Sequence, residues 1–188
     1  EMANNGPHML DICRWGLGVD YPTRVTALGG RLRYDDDQQT PDTLDAAFEF
    51  GDRTIAWELQ SWSPRGRDGL ATGAEFLGET GTVLVEPKGT YTLFDEQNKP
   101  VPPEAKEQAP ETPAPHMANF AACIRDGAAP NAGVLDGHKS TLLCHLANIS
   151  FRTGRVLDCD PANGRPRNAP EADALWGREY RPGWEPVV

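Results

Sequence analysis

At 188 residues, with 18 basic and 28 acidic side chains and a formal net charge of -10, the chain has the length of one domain. Its field repels a phosphate backbone, which argues against nucleic acid as a partner. The longest apolar runs fall far short of the roughly 20 residues a membrane-spanning helix needs, and 19 glycines with 17 prolines favour short strands and turns over a helical bundle.

The stretch from Asn4 to Gly18 reads as a helix, with Pro7 in its first turn and Gly16 or Gly18 at its end. No strand precedes it. A domain rarely begins on such a helix with nothing upstream to pack it, so we expect a fragment whose N-terminal part is missing. Residues 23–34 (TRVTALGGRLRY) predict a strand with a bulge at Gly29 and Gly30. Leu44, Ala46, Phe48 and Phe50 then alternate with Asp45, Ala47 and Glu49, and Ile55, Trp57 and Leu59 alternate with Ala56, Glu58 and Gln60, with Gly51 and Asp52 as the hairpin turn. Two further segments, GAEFLGE and TVLVEP, are joined across Glu79 to Gly81, and TYTLFDE follows a turn at Pro87 to Gly89. Five or six consecutive strands joined in this way predict one antiparallel sheet.

Residues 96–114, rich in proline and poor in large apolar side chains, predict a surface connection. The period then changes to that of helices. Met117, Phe120, Ala121 and Ile124 are spaced i, i+3, i+4, i+7, and Leu142, Leu146 and Ile149 repeat the pattern in a helix from Val134 to Thr153, capped by Gly154. These two helices are expected on one sheet face, leaving the other exposed, with Phe48 and Trp57 on alternate faces. VLDC reads as a last short strand, and the tail aromatics Trp176, Tyr180 and Trp184 are expected to pack along the domain. The fold class is α+β: an open, mainly antiparallel sheet with helices on one face, forming a single domain over 1–188.

No G-x-G-x-x-G, Walker, H-E-x-x-H or G-x-S-x-G motif is present, so no dinucleotide site is expected within this chain. Cys13, Cys123, Cys144 and Cys159 lack metal-ligand spacing and predict free thiols, most of them buried. Asn4 to Asp11 (NNGPHMLD) is the richest segment. Pro7 sets His8 in the first helical turn, where the dipole disfavours imidazolium and leaves a neutral ring suited to proton transfer. Asp11, three residues on, could orient that ring. By residue type the pair also fits a helix-capping arrangement. His138, Thr141, His145 and Asn148 form a second polar stripe, read either as a solvated helix face or as a substrate-facing one; the two histidines stand too far apart for one metal ion without a third ligand. His116 reads as a helix start.

Together these residues resemble a known family. NNGPHMLDICRWGLG is similar to the D-x-G-x-H-x-x-D helix of the glucose-fructose oxidoreductase, inositol dehydrogenase and MocA family, and HKSTLLCHLANISFRTGRVL resembles the S-x-x-T-G-R helix that precedes its last strand. The WGREYRPGWE tail is similar to that of the bacterial-type variants of this C-terminal domain, whose sheet is of the dihydrodipicolinate-reductase-like kind. The resemblance spans nearly all of the chain. It implies an NAD(P)-dependent oxidoreductase of sugars, cyclitols or related hydroxy compounds, cytoplasmic and oligomeric through the sheet. NAD or NADP would be held by an N-terminal Rossmann domain lying outside this sequence, which also carries the family's catalytic lysine. His8 matches the family's acid/base and Asp11 the later acidic position; Asn4, Asp11, His138, His145 and Asn148 would face the substrate. The departure is Asn4, an amide where the family often has an acid, and an amide lends an imidazolium no charge support. A noncatalytic sheet module for oligomerisation or carbohydrate binding is the competing expectation.

Overall fold

The computed structural model describes residues 2–67, 69–86, 89–102 and 112–186. In chain order the elements are α1 (Gly6–Leu17), β1 (Arg24–Gly30), β2 (Thr43–Phe50), β3 (Arg53–Gln60), β4 (Ala74–Leu77), β5 (Gly81–Val85), β6 (Tyr91–Asp95), β7 (Pro100–Val101), α2 (Ala114–Asp126), α3 (Val134–Thr153), β8 (Leu157–Asp158) and α4 (Pro170–Trp176). The α+β class with antiparallel pairing holds, but the strands form two four-stranded sheets, ordered β3-β2-β1-β8 and β4-β5-β6-β7. The single continuous sheet expected from the hairpin run is therefore corrected. Alternation fixes each hairpin, but it does not say which edge the next strand will join. The glycine- and serine-rich stretch after Gln60 carries the chain off the edge of β3, and β4 pairs only with β5.

In the first sheet Leu44, Ala46, Phe48 and Phe50 of β2 point inward with Val25 and Ile55, and Leu142, Leu143, Leu146 and Ile149 of α3 close over them. Phe48, Leu44, Leu143 and Leu146 are fully buried, each contributing about 2–3 kcal/mol of apolar transfer free energy. Phe48 pairs with Ile55 and Ala46 with Trp57. Directly opposed residues share a face, so Trp57 lies on the same inner face as Phe48, not on the opposite one. The outer face is instead polar, with Thr26, Asp45, Glu49, Ala56 and Glu58 exposed around a single exposed leucine, Leu28.

No bulge interrupts β1. Its register runs unbroken to Gly29↔Leu44 and Gly30↔Thr43, and a Cβ at Gly29 would stand 2.1 Å from the Thr43 carbonyl oxygen. The glycine serves close backbone approach and not a kink. β8 returns from the far end of the sequence to pair with the other edge of β1, placing Leu157 beside Val25.

The helix layer also differs from expectation. It is α1, not α2, that joins α3: Leu10 is fully buried, and Gly6 meets Cys144. α1 reaches the second sheet where Phe76 of β4 lies over Gly16. No residue of α2 is buried. Within the 96–114 stretch Pro100–Val101 pairs with β6, while 103–111 lie outside the described residues. The turn at Pro87 to Gly89 likewise falls partly outside them. Trp176 packs against the core, whereas Tyr180 and Trp184 are exposed, the latter at 78%. The tail aromatics thus do not all pack: α4 sets Ala172 and Trp176 on the core, and the described residues after it are exposed.

The four cysteines are free thiols. Burial pushes the Cys13 thiol up to about 11 and those of Cys144 and Cys159 up to about 12, with Asp158 adding to the last. One buried carboxylate organises the loop before β2. Asp42, 1% exposed, accepts backbone N–H bonds from Leu32 (3.0 Å), Arg33 (3.0 Å) and Tyr34 (2.9 Å), and the Thr43 hydroxyl (2.9 Å). Burial raises its pKa, but these four donors outweigh that and hold the carboxyl well below the usual carboxylate range.

Candidate active site

α1 and the start of α3 form the walls of a cleft of about 690 Å³. Pro7 begins the helical course of α1 so that His8, Asp11 and Trp15 share one face at helical spacing, and Asp136, Ser140 and Thr141 face them from α3. His8 is exposed, on the cleft wall, and its backbone N–H bonds to the Asn5 carbonyl at 3.2 Å.

The floor is built on Arg14, 7% exposed. Its guanidinium donates to Asp136 Oδ1 at 3.0 Å, to Ser140 Oγ at 2.9 Å, to the Val19 carbonyl at 3.3 Å and to Asp20 Oδ1 at 3.5 Å. Lys139 also donates to Asp20 Oδ1, at 2.7 Å. Because a guanidinium only donates, the Ser140 oxygen accepts from Arg14 and its own proton goes to the Asp11 carboxylate. Arg14 and Ser140 therefore set the orientation of Asp11, and no hydrogen bond joins Asp11 to the His8 ring among the described residues. Three carboxylates around two cations keep the floor fixed and its charge nearly balanced. The result is a cleft lined by hydroxyl, carboxylate, imidazole and indole groups. Groups of these kinds can hydrogen-bond to ligand hydroxyls and stack on an apolar ligand face.

Of the residues singled out in the sequence, the structure brings together His8 and Asp11. Asn4 lies in the turn before α1, exposed and outside the cleft lining. His138 and His145 are exposed on α3 and also outside it, although Thr141 between them does line the cleft. Asn148 borders a separate hollow of about 290 Å³ with Gln39, Thr40, Phe151 and Arg152. His116 stands exposed in the first turn of α2. Sequence reasoning missed Arg14, Asp20, Asp136, Lys139 and Ser140. The Asp11/Arg14 spacing of i, i+3 was a usable signal, but Ser140 lies 129 residues from Asp11 and nothing local links them. No group of described residues is arranged to hold a metal ion, and no described helix is long and apolar enough to cross a membrane.

No protein-family model matches the chain, and no curated protein matches it. Solved structures do share its fold. An aldose-aldose oxidoreductase from Caulobacter crescentus, solved with glycerol, matches at a TM-score of 0.63 and 18% identity over 81% of this chain and 45% of its own. The WlbA dehydrogenase from Bordetella pertussis, solved with NADH and UDP-GlcNAcA, matches at 0.60 and 20% identity over 81% and 44%. An oxidoreductase from Agrobacterium radiobacter, solved with NAD+, L-tartaric acid and magnesium, matches at 0.59 and 18% identity over 81% and 47%. The chain spans about half the length of these proteins, and at such identities the likeness is one of fold: an α+β domain found in oxidoreductases.

Proposed function

We propose that this chain is the substrate-side, C-terminal domain of an NAD(P)-dependent oxidoreductase of the glucose-fructose oxidoreductase, inositol dehydrogenase and MocA type, acting on a sugar, cyclitol or related hydroxy compound. The observation that carries the reading is the placement of His8 on the wall of a polar cleft whose floor Arg14 fixes. Likeness of fold to dehydrogenases solved with NAD+ or NADH supports it.

The described residues themselves do not fit a dinucleotide. None of their helices opens on a G-x-G-x-x-G turn, and the glycines from Gly66 to Gly73 lead into strand β4 instead of a helix N-terminus. The cofactor, supplying the hydride acceptor, belongs to a companion domain. In this chain, His8 accepts the substrate hydroxyl proton during oxidation and returns it in the reverse direction. Trp15 and Thr141 hold the ligand in the cleft, and Asp11, kept in place by Ser140, accepts a ligand hydroxyl. Asn4, standing outside the cleft lining, leaves the His8 ring without a neighbouring carboxylate from the start of the helix.

The test is kinetic. In the whole gene product, reduction of NAD+ or NADP+ is followed against a panel of aldoses, uronic acids and cyclitols. With a substrate found, His8→Ala lowers kcat by about 10² or more while KM changes far less. A panel with no turnover, or a His8→Ala enzyme near wild-type turnover, would overturn the reading in favour of a noncatalytic module.

A further inference from the structure

The sequence of α2, APHMANFAACIRD, holds only two formally charged residues, Arg125 and Asp126, both at its very end, in a chain that is 24% charged. A helix solvated all round normally carries charge along its outer side; one that is apolar and alanine-rich all round is normally covered. Yet none of its residues is buried, and Met117, Phe120 and Ile124 are 57%, 58% and 70% exposed. Val134 and Leu135, which open α3 just after it, are exposed as well. Residues 103–111, PEAKEQAPE, contain no large apolar side chain that could supply the cover.

α2 is tied to the cleft. The Asn119 side chain donates to the Ala129 carbonyl at 3.2 Å and accepts from the Asn131 N–H at 2.9 Å, and Asn131, Ala132 and Gly133 line the cleft rim. A body resting on α2 therefore stands beside the mouth of the His8 cleft. The solved proteins of this fold are about twice as long as this chain, which leaves a domain-sized body to account for. We propose that the apolar surface of α2 and the start of α3 is the docking face of that companion domain, in the same polypeptide; this rests on the function proposed above.

The experiment uses the whole gene product. Hydrogen exchange over residues 114–126 is expected to be as slow as over α3, and alkylation of Cys123 at least tenfold slower in the wild type than in Phe120→Asp or Ile124→Asp. Leu28→Asp, on the outer sheet face, leaves both unchanged. Protection is expected to survive hundredfold dilution. Exchange as fast as in an open helix, equal alkylation in all variants, protection lost on dilution (a second copy as occupant), or a gene product no longer than this chain would each overturn the proposal. Dehydrogenase assays run in parallel separate the two readings: a protected α2 without turnover leaves docking standing and removes the enzyme, and turnover with an open α2 does the reverse.

Discussion

Asp42 shows how one residue can hold a loop by acceptor chemistry alone. Its two oxygens take three backbone N–H groups and a hydroxyl, so Asp42→Asn turns part of an acceptor toward donors and lowers the urea midpoint at pH 7. The carboxyl is held low in the folded state, so its stabilisation is present above the unfolded carboxylate range near pH 4 and is lost as pH falls through the folded value. The wild-type and Asp42→Asn stabilities should therefore converge in acid; a gap that stays constant from pH 7 to pH 2 would refute this account. Asp160, bonded by the Ala162 N–H and Arg167, and Glu171, bonded by its own N–H and held by Arg155, are lowered too and add to the same acid sensitivity. Arg14 has the opposite character, a buried donor among half-exposed carboxylates. Arg14→Met leaves those carboxylates facing one another across solvent and strips Ser140 of its buried donor, at a cost of about 1–3 kcal/mol. Chemical denaturation reads this directly, and a loss under about 0.5 kcal/mol would mean that Arg14 does not hold the two helices together.

Between elements, β1 and β2 meet closely at Gly29. Gly29→Ala would drive a methyl group into the Thr43 carbonyl and the Leu44 Cα, both of them backbone, so the strands must part at a cost of about 3 kcal/mol. Thermal unfolding monitored by circular dichroism would show the drop, and an unchanged midpoint would show that the strands yield more easily than this geometry suggests. The same position marks the limit of what could be read beforehand. Strands β2 and β3, both long helices and the cap at Gly154 were legible because alternation and helical spacing act over a few residues. The division into two sheets was not, because pairing at an edge depends on partners far along the chain, and β8 closes the first sheet from residue 157. The site divides in the same way. His8 and Asp11 were visible in one short motif, whereas the Arg14 and Ser140 support joins segments 126 residues apart.

For the molecule as a whole, the described residues provide walls for a polar ligand but no cradle for a dinucleotide, so the 188-residue chain alone is expected to give no heat of binding with NAD+ or NADH in a calorimetric titration. A dissociation constant near the micromolar range would place the cofactor on this chain after all.

The order of the first sheet also bears on how the protein is made. Ala27 gives its N–H to Ser150 Oγ across 123 residues, and α3, which closes over the inner faces of β1 and β2, is made long after them. A ribosome adding roughly 5–20 residues per second leaves the apolar side of the nascent hairpin without α3 for roughly 5–19 seconds, the time from Gln60 to Thr153. During that interval the second sheet can assemble from its own local pairs, while Leu44 and Phe48 remain open to chaperones. Synonymous codon changes that slow translation between residues 61 and 130 should therefore lower soluble yield without altering the stability of the molecules that do fold.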